Sequence, residues 1–391
     1  MFGEEASFLE VAFVLIGAAF AAVLILTKFR LPSILGYLAA GLVVGPSGLG
    51  LITESEGLSQ IAEVGVIFLL FMLGIEFSFA RIIELRRAIF GLGFQQVFVV
   101  TVLVAALVKA FFDLSWATAI IVGGAVAMSS TALCLKQLAE QRELATDHGR
   151  IAVAILLFQD LATVVFLIFI GAAAGGVSVT RSLIDLTLGV GVLIVALAAA
   201  RIAMRPVSAW LSRELESDVL QLSALFIAIA AAFGAQEAGL SPAIGAFIAG
   251  MVIGESDARH AVEKEIRPFR DLLVGIFFVT IGAKLDLLKV LEAPLQVLGW
   301  LGLIIGLKWL AVAALVYWDR REFSVASRSA TILAHGGEFG LLLVTLGMAN
   351  GALTEEFGQP LFLAIGASMF VAPVLIGLRR PHSAMPDGVE E

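Results

Sequence analysis

The sequence predicts an all-α polytopic membrane protein with about 13 transmembrane helices. Hydrophobic residues make up 60% of the chain and charged residues only 15%, and the mean hydropathy is +1.02. Soluble domains carry about 25% charged residues, so most of this chain is expected to contact lipid. Apolar runs of about 20 residues, long enough to cross roughly 30 Å of hydrocarbon, recur from end to end. They are expected to be helices because lipid offers backbone groups no hydrogen-bond partner.

Thirteen apolar segments are expected to cross the membrane, and several contain Gly or Pro and should be bent or interrupted. The first follows an acidic stretch, MFGEEASFLE, which lacks the basic start of a signal peptide. We therefore interpret it as a span and not as a removed leader. The expected spans lie near residues 8–27, 33–52, 61–79, 88–109, 115–138, 150–174, 182–204, 219–238, 241–254, 271–287, 292–317, 324–349 and 360–378.

The basic residues test this number of spans independently. Twenty of the 25 Lys and Arg residues follow odd-numbered spans, and loops rich in Lys and Arg are cytoplasmic. The predicted protein is therefore a multi-pass protein of the cell (inner) membrane, with the N-terminus outside and the C-terminus in the cytoplasm. Residues 1–378 are expected to form one transmembrane domain, followed by a short polar cytoplasmic tail, 379–391.

The two halves of the chain resemble each other. LPSILGYLAAGLVVG (31–45) matches LSPAIGAFIAGMVIG (240–254) with its glycines at a constant offset of 209, and the two following pairs of segments match at offsets of 208 and 207. Seven spans separate the members of each pair, and an odd number means that they cross the membrane in opposite directions. The sequence therefore predicts an inverted repeat, about 31–174 and 240–378, which is typical of secondary transporters.

One carboxylate lies in the middle of the sixth span, in the run AILLFQDLATVVFLIFI (154–170). A charge at this depth costs roughly 2.5–3.5 kcal/mol, so such a residue is a functional candidate. Asp160 can hold either a proton or a metal cation, which is the minimal requirement of an exchanger; the alternative is a hydrogen-bonded structural aspartate. The adjacent Gln159 is expected either to bind the ligand through its amide or to join neighbouring helices.

Two spans contain runs of small and polar residues. MSSTAL (128–133) in the fifth span offers the hydroxyls of Ser129, Ser130 and Thr131, which are hard oxygen ligands suited to an alkali cation. The matching run in the twelfth span, HGGEFG, contains His335, Gly336, Gly337 and Glu338. Both runs are expected to interrupt their helices and to place helix ends near the midplane. Close packing of small residues is the alternative explanation for each run alone.

Lys308 is the lysine inside the eleventh span. It is expected to be a buried cation whose partner is Asp160, although a lysine that extends to the interface is the alternative. His335 and Glu338 are expected as local partners of the interruption in the twelfth span.

As a set, LPSILGYLAAGLVVGPSGLG, LLFMLGIEF, MSSTAL, LLFQDLATVV, GAFIAGMVIGES, LLVGIFFVTIGAKLDL and GGEFG resemble the monovalent cation:proton antiporter-2 family. The closest likeness is to its Kef-type potassium:proton subgroup, over residues 10–378. The resemblance implies a sodium/proton antiporter-like fold with two crossed discontinuous helices, alternating access, and a dimer. It also implies that Asp160 carries the ion and the proton, with Thr131 beside it, and that Lys308 is the intramembrane lysine of the family.

The resemblance also implies a regulatory segment. ESDARHAVEKEIRPF (255–269) is similar to the Kef loop through which a cytoplasmic nucleotide-binding domain gates transport. Lys264 and Arg267 alter its acidic pattern, and the chain as given contains no such domain. The segment is nevertheless a possible regulatory loop, and a separate cytoplasmic regulatory subunit is a possible partner. Its candidate residues are Glu255, Arg259, His260, Glu263 and Glu265.

The residues favour an exchanger of K⁺, or else Na⁺, for H⁺. A gated K⁺ efflux pathway resembling a channel, or a transport subunit that needs a regulatory partner, remains the alternative. An enzyme is not expected because Asp160 has no second intramembrane aspartate and no HExxH motif occurs. The single cysteine, Cys134, excludes an intramolecular disulfide. Neither a cofactor, nor a resident metal, nor a nucleic-acid partner is expected.

Overall fold

A computed structural model describes residues 8–29, 31, 33–52, 56–76, 87–112, 114–173, 217–237, 242–256, 259–283, 285 and 294–378. The predicted seventh span and the predicted tail lie outside these residues. The described chain is all helical, with a π-helical turn, Ile89–Gly93, before α4. Its helices are α1 (Phe8–Lys28), α2 (Ser33–Val44), α3 (Glu56–Glu76), α4 (Phe94–Phe112), α5 (Trp116–Ala127), α6 (Thr131–Glu140), α7 (Asp147–Ala173), α8 (Ser217–Glu237), α9 (Pro242–Gly254), α10 (Arg259–Ala283), α11 (Pro294–Arg320), α12 (Phe323–Leu333), α13 (Glu338–Ala349) and α14 (Glu355–Leu378).

The described helices confirm a multi-span membrane protein. Seven helical segments are long and apolar enough to cross a bilayer, and the bent pair α12–α13 makes an eighth if it counts as one span. Helices α2 and α9 have only 12 and 13 residues, fewer than the roughly 20 that a straight crossing needs. The total of thirteen spans therefore stays a prediction.

Two predicted segments have different bounds in the structure. The second span was expected over 33–52, but α2 ends at Val44 and the chain turns within GPSGLG, where Gly50 has a φ of 61°. The predicted regulatory loop is largely helical, because α10 begins at Arg259. Val262 and Ile266 lie one helical turn apart and are both fully buried, so this polar segment gains a hydrophobic face that holds it as a helix.

Four helices pack through glycine contacts, α2 against α10 and α3 against α9. A Cβ atom at Gly41 would lie 2.0 Å from the carbonyl oxygen of Val279, and one at Gly250 would lie 2.0 Å from that of Phe71. Small residues at such positions let membrane helices approach each other closely. The glycines that match between the two halves of the sequence are thus used in matching contacts.

Gly250→Ala is expected to destabilise the protein, because the added methyl group meets backbone and not a flexible side chain. Overpacking costs about 1–3 kcal/mol in a well-packed core. The measurement is the midpoint of thermal unfolding in detergent. Gly302→Ala in α11 is the control, since a Cβ there has no heavy atom within 4 Å. An equal change in both variants would contradict this account of the helix contact.

The centre of the described structure is formed around α5, α6 and α7. An apolar window of 18 residues is 72% buried in Trp116–Glu140 and in Asp147–Gly171, but only 6% buried in Leu9–Lys28. Helices α12 and α13 contact α7, and α13 also contacts α5. The two predicted interruptions and the predicted aspartate therefore lie in an enclosed part of the described structure.

Candidate functional site

The chain leaves the helical conformation at residues 128–130 and again at residues 334–337. The second interruption bends α12 against α13 by 46°. The two interruptions touch: the backbone N–H of Ser130 donates to the carbonyl of Gly336 at 3.2 Å. A Cβ at Gly337 would lie 2.4 Å from the carbonyl carbon of Ser129, so glycine permits this contact.

Interrupted helices expose backbone carbonyls at their C-terminal ends, and in a buried site these need donors. Side chains from other helices supply them here. The Ser129 hydroxyl donates to the Leu333 carbonyl at 3.0 Å, and the Cys134 thiol donates to the Ile332 carbonyl at 3.2 Å. At the start of α6, the Ser130 hydroxyl accepts a hydrogen bond from the Leu133 N–H at 3.2 Å, which is a regular N-cap.

Lys308 joins the two interruptions. Its ammonium group donates to the carbonyl of Met128 at 2.5 Å and to the carbonyl of His335 at 2.7 Å, and the residue is fully buried. The hydrogen bonds of Lys308 are thus made to two backbone carbonyls, and its pairing with Asp160 stays a prediction. The ends of α5 and α12 carry partial negative charge, and an ammonium with three donors satisfies both. Lys308 acts as a shared cap for two helix ends.

Gln159 is also used by an interruption. Its side-chain oxygen accepts from the Ser129 N–H at 2.7 Å, and its amide donates to the side-chain oxygen of Gln96 at 2.8 Å. Gln96 in turn donates to the Ala127 carbonyl at 3.1 Å. Both glutamines are buried. Together they supply the N–H and C=O groups at the end of α5 with partners.

Asp160 contacts the first residue of α6. The Thr131 hydroxyl lies 3.1 and 3.3 Å from the two carboxylate oxygens of Asp160. Both residues line a cavity of about 560 Å³ between α2, α3 and α10 on one side and α6, α7 and α13 on the other. Glu338, buried at the start of α13, lines the same cavity. More exposed charged side chains complete its wall: Lys136, Arg267, Arg270 and Asp271.

Of the five predicted cation ligands, the structure brings Thr131 and Asp160 to this cavity. The described wall does not include Ser129, Ser130 or Gln159. Ser129 and Gln159 are hydrogen-bonded at the end of α5, and Ser130 caps α6; their role as cation ligands stays a prediction. The backbone N–H and C=O groups exposed at the interruption need hydrogen-bond partners, and these side chains supply them.

His335 and Gly336 are not among the residues that line the cavity. The ring of His335 is fully buried, with Nε2 3.4 Å from the Cys134 sulfur and Nδ1 2.6 Å from the Gly336 carbonyl. The Gly336 N–H donates to the Ser368 hydroxyl at 2.8 Å. This agrees with the predicted role of His335 as a local partner of the interruption.

The candidate regulatory residues lie on another part of the molecule. Glu255 precedes α10, and the other four occupy its first two turns. Glu265 accepts a hydrogen bond from Gln221 of α8 at 2.6 Å. Further along α10, Arg267 and Arg270 reach the cavity wall, so this helix connects the candidate regulatory segment with the candidate site.

Sequence reasoning missed Gln96. The dipeptide Gln95–Gln96 in an otherwise apolar segment was a usable signal, because a polar side chain inside a span needs a partner. Only Gln96 is buried, and Gln95 is exposed. The sequence alone does not show which side of α4 faces the interruption, because this depends on how α4 packs against its neighbours.

Gln96→Leu is expected to lower the free energy of unfolding by about 1–3 kcal/mol, because the Ala127 carbonyl loses its donor in a buried site. Gln159 also loses a partner and the interruption is less well fixed, so transport by the variant should be slower. Thermal unfolding in detergent and initial transport rates measure the two effects. Gln95→Leu is the matched control, and equal behaviour of both variants would contradict the role of Gln96.

Many apolar helices, two touching interruptions and a buried carboxylate in a charged cavity are the features of a polytopic ion-transport protein. The chain belongs to the sodium/hydrogen exchanger family: residues 14–378 match the family described as "Sodium/hydrogen exchanger, transmembrane". The resemblance to Kef-type antiporters is also confirmed by individual relatives.

Two relatives illustrate this similarity. K(+) efflux antiporter 2, chloroplastic, of Arabidopsis thaliana is 34% identical over 385 residues, covering 95% of this chain and 32% of the relative. The glutathione-regulated potassium-efflux system protein KefC of Escherichia fergusonii is 34% identical over 374 residues, covering 93% of this chain and 59% of the relative. The chain therefore spans between a third and three fifths of the length of these relatives.

The fold is similar to that of the sodium proton antiporter MjNhaP1 from Methanocaldococcus jannaschii. The TM-score is 0.66, and the similarity covers 93% of this chain and 92% of the other. The sequences are 18% identical, so this similarity concerns the fold alone.

Proposed function

We propose that this protein is a secondary antiporter that exchanges a monovalent cation for H⁺ through Asp160. The single observation that carries the proposal is the position of Asp160. It is a buried carboxylate next to the Thr131 hydroxyl, in a cavity beside two touching helix interruptions. A carboxylate removed from water favours its protonated form, and a bound cation favours the ionised form, so the two ligands compete.

In the proposed cycle, a cation enters the cavity and binds the Asp160 carboxylate with the Thr131 hydroxyl oxygen as a second ligand. The proton that Asp160 held leaves by the same cavity. After the site has become accessible from the opposite side, the cation leaves and a proton takes its place. Lys308 and the Gln96–Gln159 pair keep the interruptions in shape, because they satisfy the carbonyls at the ends of α5 and α12.

Alternating access is proposed to use an inverted repeat, about 31–174 and 240–378, within one transmembrane domain, 1–378, of 13 spans. Reciprocal contacts support a two-fold relation. Gly41 contacts Val279, and Gly250 contacts Phe71. Gly41 corresponds to Gly250 at the offset of 209, and Phe71 corresponds to Val279 at the offset of 208, so the second contact repeats the first with the two halves interchanged. The interrupted helices are proposed to cross at Ser130 and Gly336. The cavity separates α2, α3 and α10 from α6, α7 and α13, which are the groups proposed to move relative to each other.

K⁺ is the proposed cation, and Na⁺ is the second choice. The curated relatives are named K(+) efflux antiporter and potassium-efflux system protein, whereas the solved structure is that of a sodium proton antiporter. Gln159 leaves Asp160 without an acidic residue before it in the sequence, which fits one proton exchanged for one cation.

The proposed location is the cell (inner) membrane, with the N-terminus outside and the C-terminus inside. The cavity wall contains Lys136, Arg267 and Arg270, so the positive-inside rule places its opening on the cytoplasmic side. We propose a homodimer formed through α1. Its Gly17 and Ala21 allow close approach, and its apolar window of 18 residues is only 6% buried within one chain. The first turns of α10 are the proposed contact for a separate regulatory subunit.

The test is a set of proteoliposomes that hold an imposed pH gradient, to which K⁺, Na⁺, Li⁺ or Rb⁺ is added while the luminal pH is followed. We expect a cation-dependent pH change, largest for K⁺. A cation flux without coupled proton movement would indicate the channel-like alternative and overturn the proposal. A response that requires an added cytoplasmic partner would indicate the subunit alternative.

A further inference from the structure

Glu338 lines the cavity and has a buried carboxylate oxygen without a hydrogen-bond partner. It is the first residue of α13 and only 6% exposed, and its side chain lines the cavity with Asp160. In the described part of the chain, its Oε2 is one of five buried side-chain atoms without a hydrogen-bond partner. The rest of the carboxylate is next to the Ser130 hydroxyl and the Ala132 N–H. Buried polar atoms normally have partners, so an unpaired carboxylate oxygen on a residue that lines a cavity points to a ligand.

The two buried carboxylates of the cavity lie at the starts of two helices. Asp160 contacts Thr131 at the start of α6, and Glu338 begins α13. Each helix N-terminus carries about half a positive charge, so the two ends offset roughly one of the two carboxylate charges. The two helix ends therefore make it less costly to place two carboxylates beside one cation.

We propose that Glu338 is a second anionic ligand of the transported cation, binding it through Oε2 together with Asp160 and Thr131. This inference rests on the proposed function and adds a residue to its site. Oxygen ligands from a second carboxylate are those that a hard cation prefers. Glu338 contacts the other interruption through Ser130 and Ala132, so it also links the two helix N-termini on which the site is built.

The test compares the apparent KM for the cation, at fixed pH, between the wild type and E338Q. Glutamine keeps the shape and one oxygen but removes the charge, so we expect the KM to rise by about 10-fold or more, as expected for the loss of a charged partner. D271N is the control, because it removes a negative charge from the same cavity wall at an exposed position. Its KM should change by less than about 2-fold, since exposed charges interact weakly.

E338D keeps the charge and withdraws the oxygen from the site, so its KM should lie between those of the wild type and E338Q. If folded E338Q has the KM of the wild type, the inference is overturned. If E338Q does not fold, E338D is the test variant, and a wild-type KM in E338D overturns the inference. A purely structural role would lower the amount of folded protein without raising the KM.

Binding by the purified protein separates this inference from the proposed function. K⁺ should raise the unfolding temperature of the wild type above its value in choline chloride, and E338Q should lose this response at the same K⁺ concentration. If the wild type exchanges cations and D160N does not, a normal E338Q overturns only the inference about Glu338. If the wild type shows neither exchange nor stabilisation by any of the four alkali cations, both are overturned.

Discussion

Asp160→Asn is expected to reduce cation-dependent proton exchange to the level of protein-free liposomes. Asparagine has nearly the volume of aspartate and can still contact Thr131, but it neither carries a charge nor exchanges a proton at neutral pH. Both halves of the proposed cycle therefore fail together. The measurement is the initial rate of luminal pH change after K⁺ or Na⁺ is added to proteoliposomes.

Two further variants control this experiment. Asp160→Glu keeps a titratable carboxylate and should retain part of the activity, whereas Asp271→Asn removes an exposed charge from the same cavity and should leave the rate nearly unchanged. Thermal unfolding must show that Asp160→Asn is folded. Exchange at the wild-type rate in folded Asp160→Asn would remove this residue from the mechanism.

Lys308→Met is expected to cause the second large effect, on both stability and transport. The Met128 and His335 carbonyls lose a shared donor, and each unsatisfied buried carbonyl costs about 1–3 kcal/mol. The free energy of unfolding should therefore fall by about 2–6 kcal/mol, which is a large part of the stability of an ordinary domain. The midpoint of thermal unfolding in detergent measures this loss.

The contacts of Lys308 also predict how its variants rank. Lys308→Gln keeps an amide donor and should be more stable than Lys308→Met, although both lack the charge. Lys136→Met, which removes a lysine from the cavity wall, should unfold near the wild-type temperature. If Lys308→Met were as stable as the wild type, the two carbonyl contacts would not be supporting the interruptions. If Lys308→Gln and Lys308→Met were equally impaired, the charge rather than the donor would be decisive.

The features that the sequence predicted well depend on local composition. The membrane class follows from apolar length, and Asp160 stands out because a carboxylate in the middle of an apolar run is costly. The non-helical residues 128–130 and 334–337 coincide with MSSTAL and HGGEFG, since hydroxyls and glycines offer the backbone alternatives to the helix.

The partners of Lys308 and Gln159 were beyond sequence reasoning. Lys308 contacts the Met128 carbonyl, which is 180 positions away in the chain, and only the packing of α11 against both interruptions brings the two together. Opposite charge suggested Asp160 as a partner and gave no sign of the two carbonyls. The exposed ends of two helices present partial charges that residue types do not reveal.

The first turns of α10 were misjudged for a related reason. The segment from Arg259 to Arg267 is highly charged and suggested a loop, but Val262 and Ile266 are buried beneath it. Two apolar residues at a spacing of four are a weak signal in a polar run, and the helix is fixed by its tertiary contacts.

The central claim is that a proton and a cation compete for Asp160, and proton release on cation binding tests it most directly. Purified protein in weakly buffered detergent solution is titrated with KCl, or with NaCl, against choline chloride while a pH indicator reports released protons. The account predicts about one proton released per cation bound by the wild type and none by Asp160→Asn. Cation binding without proton release, or the same release from Asp160→Asn, would contradict it.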